Sequence, residues 1–188
     1  VYLTEKEYLS LMQNLEKNKK NFHNLRDQLI IAILLTTGIR VSELMRIKFE
    51  DVSRDIQNKI TIEIIRKGQE MDYIYLNSQV AMLFEEYIKQ RKKIINEYSF
   101  VFLSKTNLPL DRTAIYRIVK KYLNISGIEK KKMGPHLLRH TFATTLMQKN
   151  VSLYKIKELL NHKNLSTTEK YLHVVEEDLR EAVEKINI

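Results

Sequence analysis

Apolar positions along this chain recur in two periods, and the period changes where the element changes. Tyr8, Leu11, Met12 and Leu15 fall three and four apart, the spacing of one helical face. Thr4 precedes them with Glu7 three residues on, the reciprocal capping pair that opens a helix. From Asn24 to Thr37 most faces are apolar, which predicts a central buried helix, and Gly38 is placed to stop it in a left-handed conformation. The period then drops to two. Ile60, Ile62 and Ile64 alternate with Thr61, Glu63 and Ile65, and Tyr73 and Tyr75 alternate with Ile74 and Leu76. Two strands joined by a hairpin turn at Lys67-Gly68-Gln69-Glu70 are expected.

Helical spacing returns for the rest of the chain. Asn77 is an N-cap for a helix of about Gln79 to Lys93, and Asp111 for another reaching about Leu123, with Ala114, Ile115, Ile118, Val119 and Tyr122 as its apolar face. Pro135 sits where first-turn prolines are tolerated, so His136 to Gln148 reads as helix. Ser152 opens Leu153 to Leu160, Ser166 opens a short helix carrying Tyr171, and Glu176 to Ile186 forms a last amphipathic helix. The fold class that follows is mainly α with a small antiparallel β-sheet (α+β).

Composition narrows the function classes. The chain has 188 residues, enough for one domain or one plus a small appendage, and 44% of them are hydrophobic. A formal net charge of +9, from 32 Lys+Arg against 23 Asp+Glu, favours a polyanionic partner, nucleic acid by default. Basic ribosomal or membrane-surface proteins share that balance. Cys is absent, which excludes disulfides and thiolate metal sites and is compatible with a reducing cytosol. The longest apolar run, Leu29 to Leu35, is far short of the roughly 18 residues of a membrane span, and no signal peptide is read at the start.

Six residues carry candidate chemistry: Arg40, Lys67, His136, Arg139, His162 and Tyr171. Two arginines, a lysine, two histidines and a late tyrosine suit attack on a phosphodiester without a metal. A tyrosine hydroxyl is the nucleophile, cations hold phosphate oxygens, and the remaining groups move protons. Arg40 and Glu43, three apart at the start of a short helix, share a helical face, as do His136 and Arg139. His136 and His140 are four apart, which raises a zinc-binding helix. Leu137 stands where such a helix needs Glu, so no metal and no cofactor are expected. His140 is read as a structural or supporting residue.

The words around these residues are Thr37-Gly38-Ile39-Arg40-Val41-Ser42-Glu43-Leu44, His136-Leu137-Leu138-Arg139-His140-Thr141, and Leu159-Leu160-Asn161-His162 followed nine residues later by Tyr171. Carrying them, the chain resembles the catalytic domain of the tyrosine recombinases, the phage-integrase and Xer-type family, from about Leu3 to about Glu176. The resemblance implies a site-specific DNA recombinase or integrase acting through a 3′-phosphotyrosyl intermediate, without metal or ATP. Tyr171 is then the nucleophile and Arg40, Arg139 and His162 the phosphate holders. Lys67 is the acid for the 5′-oxygen leaving group, His136 a proton exchanger or phosphate ligand, and Glu43 a support for Arg40. Two departures stand out: Arg66-Lys67-Gly68 where the family usually has Gly-Lys-Gly, and Asn161 where a glycine usually precedes the histidine.

DNA contacts are expected from Arg112, Arg117, Lys120 and Lys121 on one helix and from the run Lys130-Lys131-Lys132. The resemblance also implies a catalytic domain over 1–175 and a tail helix over 176–188, excised from a protein whose N-terminal core-binding domain is absent here. The tail's stripe of Leu179, Ala182, Val183 and Ile186 is expected to dock into a neighbouring protomer on double-stranded DNA. The expected location is the cytoplasm, at the nucleoid, with no membrane partner. Two alternatives remain open at this point: a type IB topoisomerase with the same chemistry, and a non-catalytic DNA-binding module of the same fold.

Overall fold

A computed structural model describes residues 1–18, 21–66, 68–95, 97–161 and 179–187. The helix α1 (Glu5–Lys17) opens on the capping box expected from Thr4 and Glu7, and it buries Leu11 and Leu15. Next comes α2 (Phe22–Thr37), buried from Leu25 to Thr37, so it forms the axis of the fold. Gly38 ends it at φ 62°. A side chain there would meet more than backbone strain: a Cβ would lie 2.6 Å from Phe142 Cδ1 and 2.8 Å from Leu160 Cδ2. The glycine therefore serves both a left-handed stop and a close approach of three chain segments.

After the short α3 (Val41–Leu44) and a 3-10 turn at Phe49–Asp51 come three strands, β1 (Val52–Arg54), β2 (Ile60–Ile65) and β3 (Met71–Tyr75). They pair antiparallel in the order β1-β2-β3, with Ile62 opposite both Val52 and Ile74. The alternation at 60–76 foretold β2 and β3. The third strand is too short to show a period of two. Arg66 N–H donates to Glu70 O at 2.8 Å and Gln69 N–H to Arg66 O at 3.1 Å, closing the expected hairpin. Lys67, at its tip, lies outside the described residues.

Four longer helices follow: α4 (Ser78–Arg91), α5 (Arg112–Ile125), α6 (Pro135–Gln148) and α7 (Leu153–Asn161). Asn77 and Asp111 cap α4 and α5 as expected, and Pro135 occupies the first turn of α6. Fully buried Arg91 ties down the loop after α4 by donating to Phe100 O at 2.8 Å and Tyr98 O at 3.1 Å. No described helix is long and apolar enough to cross a membrane.

The core has two parts. The larger gathers α1 to α5, the sheet and the start of α6, including Leu137 and Leu138. The smaller joins Tyr75, Phe142, Leu146, Val151, Ile156 and Leu159 to Leu179, Ala182, Val183 and Ile186. This places the tail differently from expectation. Residues 179–184 are helical, and the apolar stripe is buried in the chain's own core, each member at 1–2% exposure, instead of presenting itself to a neighbour. Polar contacts fix the tail as well. Ser78 N–H and Oγ donate to Glu184 at 2.6 and 2.9 Å, Asn77 Nδ2 donates to Ile186 O at 2.5 Å, and Arg180 lies over the Tyr75 ring at 5.0 Å while donating to Thr61 Oγ1. The reason is complementarity within one chain: among the described residues, apolar side chains of α6, α7 and Tyr75 cluster with the tail stripe.

Ending the chain after residue 178 should therefore act on the fold itself. Burial of Leu179, Val183 and Ile186 contributes roughly 1.5–3 kcal/mol each, and each kcal/mol moves the melting midpoint of a domain this size by about 2–4 °C. A fall of about 10 °C or more in the circular-dichroism melt is expected. A truncated protein that melts like the full chain would show that the stripe contributes nothing in cis.

Candidate phosphate-binding active site

The site begins where α2 ends. Gly38 turns the chain, Ile39 is buried, and Arg40 becomes the N-cap of α3. Glu43, three residues on, reaches back to accept from Arg40 N–H at 2.8 Å and from Arg40 Nη1 at 3.1 Å. The two residues that share a helical face by spacing are thus in direct contact. The two ends differ in exposure: the Glu43 side chain is 3% exposed, whereas that of Arg40 is 44% exposed. The carboxylate is the anchor, and the guanidinium projects into solvent with donors to spare.

Arg139 comes to the same place from α6. Its Nη1 donates to Gly38 O and its Nη2 to Leu160 O, the latter at 2.9 Å. Leu160 lies in the last turn of α7, whose carbonyls carry the negative end of the helix dipole and favour a cation. Burial pushes the Arg139 guanidinium down to about 10, and the Arg40 charge pushes the same way. The cluster is therefore short of negative charge, and an anion set between Arg40 and Arg139 would relieve the repulsion between them.

A third guanidinium, Arg66, completes the cluster and was not singled out from sequence. It is buried at the end of β2, its Nε donates to Asp72, and its Nη1 lies 3.4 Å from both Glu43 oxygens. Its Nη1 and Nη2 also donate to Leu160 O and Leu159 O at 3.4 Å. A signal did exist. Ile60, Ile62 and Ile64 set the inward phase of β2, and Arg66 continues it, as Asp72 does with Ile74 on β3. A charged pair on the inward phase of a hairpin has to be paired within the protein.

His136 lies one turn before Arg139 on α6 and is exposed. Its Nε2 is 2.9 Å from the Tyr116 hydroxyl of α5, and the two rings meet edge-on with centroids 6.1 Å apart. Tyr116 thus holds the histidine ring. Gly134 makes room for it, at φ 154° with a Cβ position 3.2 Å from the Tyr116 ring. His140 is exposed.

The basic residues of α5 divide. Arg112 lies over the Tyr116 ring at 5.6 Å, on the side of His136. Lys121 lies over the Tyr122 ring at 4.9 Å and within electrostatic reach of buried Asp27, on another side of the helix. Arg117 and Lys120 are exposed, as are Lys131 and Lys132. Lys130 is half-buried and paired with Glu7 at 2.8 Å, so the expected triple run presents two exposed lysines and one tied to α1. Of the six chemical candidates, the structure thus brings Arg40 and Arg139 together and sets His136 one turn away. Lys67, His162 and Tyr171 lie outside the described residues.

Comparison with known proteins bears on this arrangement. A tyrosine recombinase of Pseudothermotoga lettingae is 40% identical over 164 residues, covering 87% of this chain and 54% of its own length. The tyrosine recombinase XerC of Caldanaerobacter subterraneus subsp. tengcongensis is 37% identical over 187 residues, 98% of this chain and 50% of its own. The chain thus spans about half the length of the curated relatives it matches. Among solved structures, the XerH site-specific recombinase bound to its difH substrate before cleavage is similar at TM-score 0.76 and 25% identity, over 93% of this chain and 53% of that one. The XerA recombinase is similar at TM-score 0.74 and 28% identity, over 96% and 61%. The model described as the phage integrase family matches from residue 1 to residue 178, and with nearly its whole length so matched, the chain belongs to the phage integrase family.

Proposed function

We propose that this chain is the catalytic domain, over 1–175, of a site-specific DNA recombinase or integrase that cuts and rejoins double-stranded DNA through a 3′-phosphotyrosyl intermediate. The observation that carries the reading is the Arg40–Arg139 pair, two guanidinium groups brought to one place with Arg139 destabilised by its buried, cation-rich setting. A scissile phosphate between them supplies the missing negative charge. The planar fork of each arginine matches two non-bridging oxygens and stays charged near neutral pH, even with Arg139 lowered to about 10.

In this mechanism Tyr171 Oη attacks phosphorus as its proton leaves. The P–O5′ bond breaks, and Lys67 Nζ delivers a proton to the departing 5′-oxygen. Arg40, Arg139 and His162 hold the charge that builds on the equatorial oxygens, and His136 exchanges a proton with the tyrosine or bonds a phosphate oxygen. One phosphate ester replaces another, so the bond energy stays in the protein–DNA link. Reversal by a 5′-hydroxyl from another strand needs neither ATP nor metal. The setting is nucleoid DNA in the cytoplasm, with other protomers gathered on paired sites. Assembly through the tail would first require the Leu179–Ile186 stripe to leave its own chain's core.

The first test is of the nucleophile. A pool of nicked duplexes, randomised around the nick, is incubated with the protein and resolved by SDS gel electrophoresis. Wild type should form a covalent adduct, and Tyr171→Phe should bind the same DNA but form none. An adduct with Tyr171→Phe would mean another tyrosine attacks. Site-independent relaxation of supercoiled plasmid would favour a topoisomerase, and binding without cleavage a DNA-binding module.

The second test separates leaving-group from oxyanion roles on the duplex recovered from the wild-type adduct. Lys67→Ala and Arg40→Ala should each slow cleavage, Arg40→Ala by about 10²–10³-fold. A 5′-bridging phosphorothiolate leaves without protonation, so it should restore Lys67→Ala and not Arg40→Ala. Equal rescue of both, or of neither, would overturn the division of labour.

Binding supplies the third. If Arg112, Arg117, Lys120, Lys131 and Lys132 contribute to a footprint of about five phosphates, log affinity should fall against log salt with a slope of roughly −4 to −5. A flat dependence, measured by fluorescence anisotropy, would contradict an electrostatic DNA face.

A further inference from the structure

Arg66 occupies a place that neither the chemistry above nor the family word uses, since the family usually has a glycine there. It is 5% exposed in its side chain, yet it reaches three separate segments. At its own hairpin it donates to Asp72 across the strands, one residue before Lys67. On α3 it meets both oxygens of Glu43, the carboxylate that holds Arg40. At the end of α7 it meets the carbonyls of Leu159 and Leu160, two residues before His162, and shares the Leu160 oxygen with Arg139.

We infer that Arg66 is a positioning residue. On the recombinase reading above, it sets the Lys67 hairpin and the His162 end of α7 in register with the Arg40–Arg139 clamp. The physical basis is the fork. A planar guanidinium fixes the directions of five N–H bonds at once, and Arg66 directs them to three segments, its own hairpin, α3 and the end of α7. Two facing carboxylates, Glu43 and Asp72, hold the cation in place, so the fork has little freedom to swing. Misplacement of a catalytic group by about 1 Å can lower a rate about 10²-fold without loss of substrate binding.

Two variants test this with the full chain and the duplex recovered from the wild-type adduct. Arg66→Gly restores the usual family residue but leaves two buried carboxylates short of a cation, so a lowered melting midpoint is expected along with slow cleavage. Arg66→Lys keeps the charge and loses the fork. It should melt within a few degrees of wild type and bind the duplex with wild-type affinity, while its single-turnover cleavage falls about 10–10²-fold. The 5′-bridging phosphorothiolate should restore Arg66→Lys in part, because sulfur bypasses Lys67 but not the displaced end of α7. Wild-type cleavage by Arg66→Lys overturns the inference. Full rescue also overturns it, since Arg66 would then serve Lys67 alone, and so does absence of rescue, since it would not act through Lys67 at all. An Arg66→Lys protein that fails to fold assigns the contacts to stability, against a positioning role. Absence of any wild-type adduct would instead overturn the recombinase reading on which the inference rests.

Discussion

A carboxylate buried to 3% exposure has to be surrounded by cations or give up its charge, and in this fold that carboxylate is Glu43. It has two, Arg40 from the N-cap of its own short helix and Arg66 from the end of β2. Arg66 in turn meets Asp72 and the last carbonyls of α7, where Arg139 also bonds. Each cation is held by a partner that another cation also needs. The cluster is therefore preformed, with three guanidinium and two carboxylate groups leaving an excess of positive charge that faces solvent at Arg40.

Close packing makes that network possible. The Gly38 turn lets α2, Phe142 of α6 and Leu160 of α7 approach within a distance that a methyl group would block. The same turn offers its carbonyl to Arg139. Arg139 also lies at a seam. Leu137 and Leu138 before it belong to the large core, and Phe142 and Leu146 after it belong to the small core that the tail completes. The tail is thus mechanically close to the Arg40–Arg139 pair although it carries neither residue. The small core fixes how α6 and α7 pack, and α7 supplies the carbonyl on which Arg139 rests.

Much of this could be read from the residues in order. Capping at Thr4, Asn77 and Asp111, the stop at Gly38, the pairing of β2 with β3, the all-round burial of α2 and the Arg40–Glu43 contact depend on neighbours within a few positions, where period and cap chemistry are sufficient. The motif words carried the family. Contacts between distant segments carried no such signal. The Tyr116–His136 bond spans 20 residues, the Arg66–Leu159 bond 93, and the Ser78–Glu184 cap 106.

The tail illustrates the division most clearly. Its sequence determined an amphipathic helix with Leu179, Ala182 and Val183 on one face, because that face follows from helical spacing, whereas Ile186 lies past the helix end at 184. Which surface covers the stripe was decided only in three dimensions, where Phe142, Leu146, Ile156 and Leu159 cluster with it. Arg66 divides the same way. Its inward phase on β2 followed from alternation with the isoleucines, so a buried partner was required. That the partners would be Glu43, Asp72 and the end of α7 together depended on the tertiary fold, because apolar burial fixes how segments pack and polar groups then bond whatever that packing brings within reach.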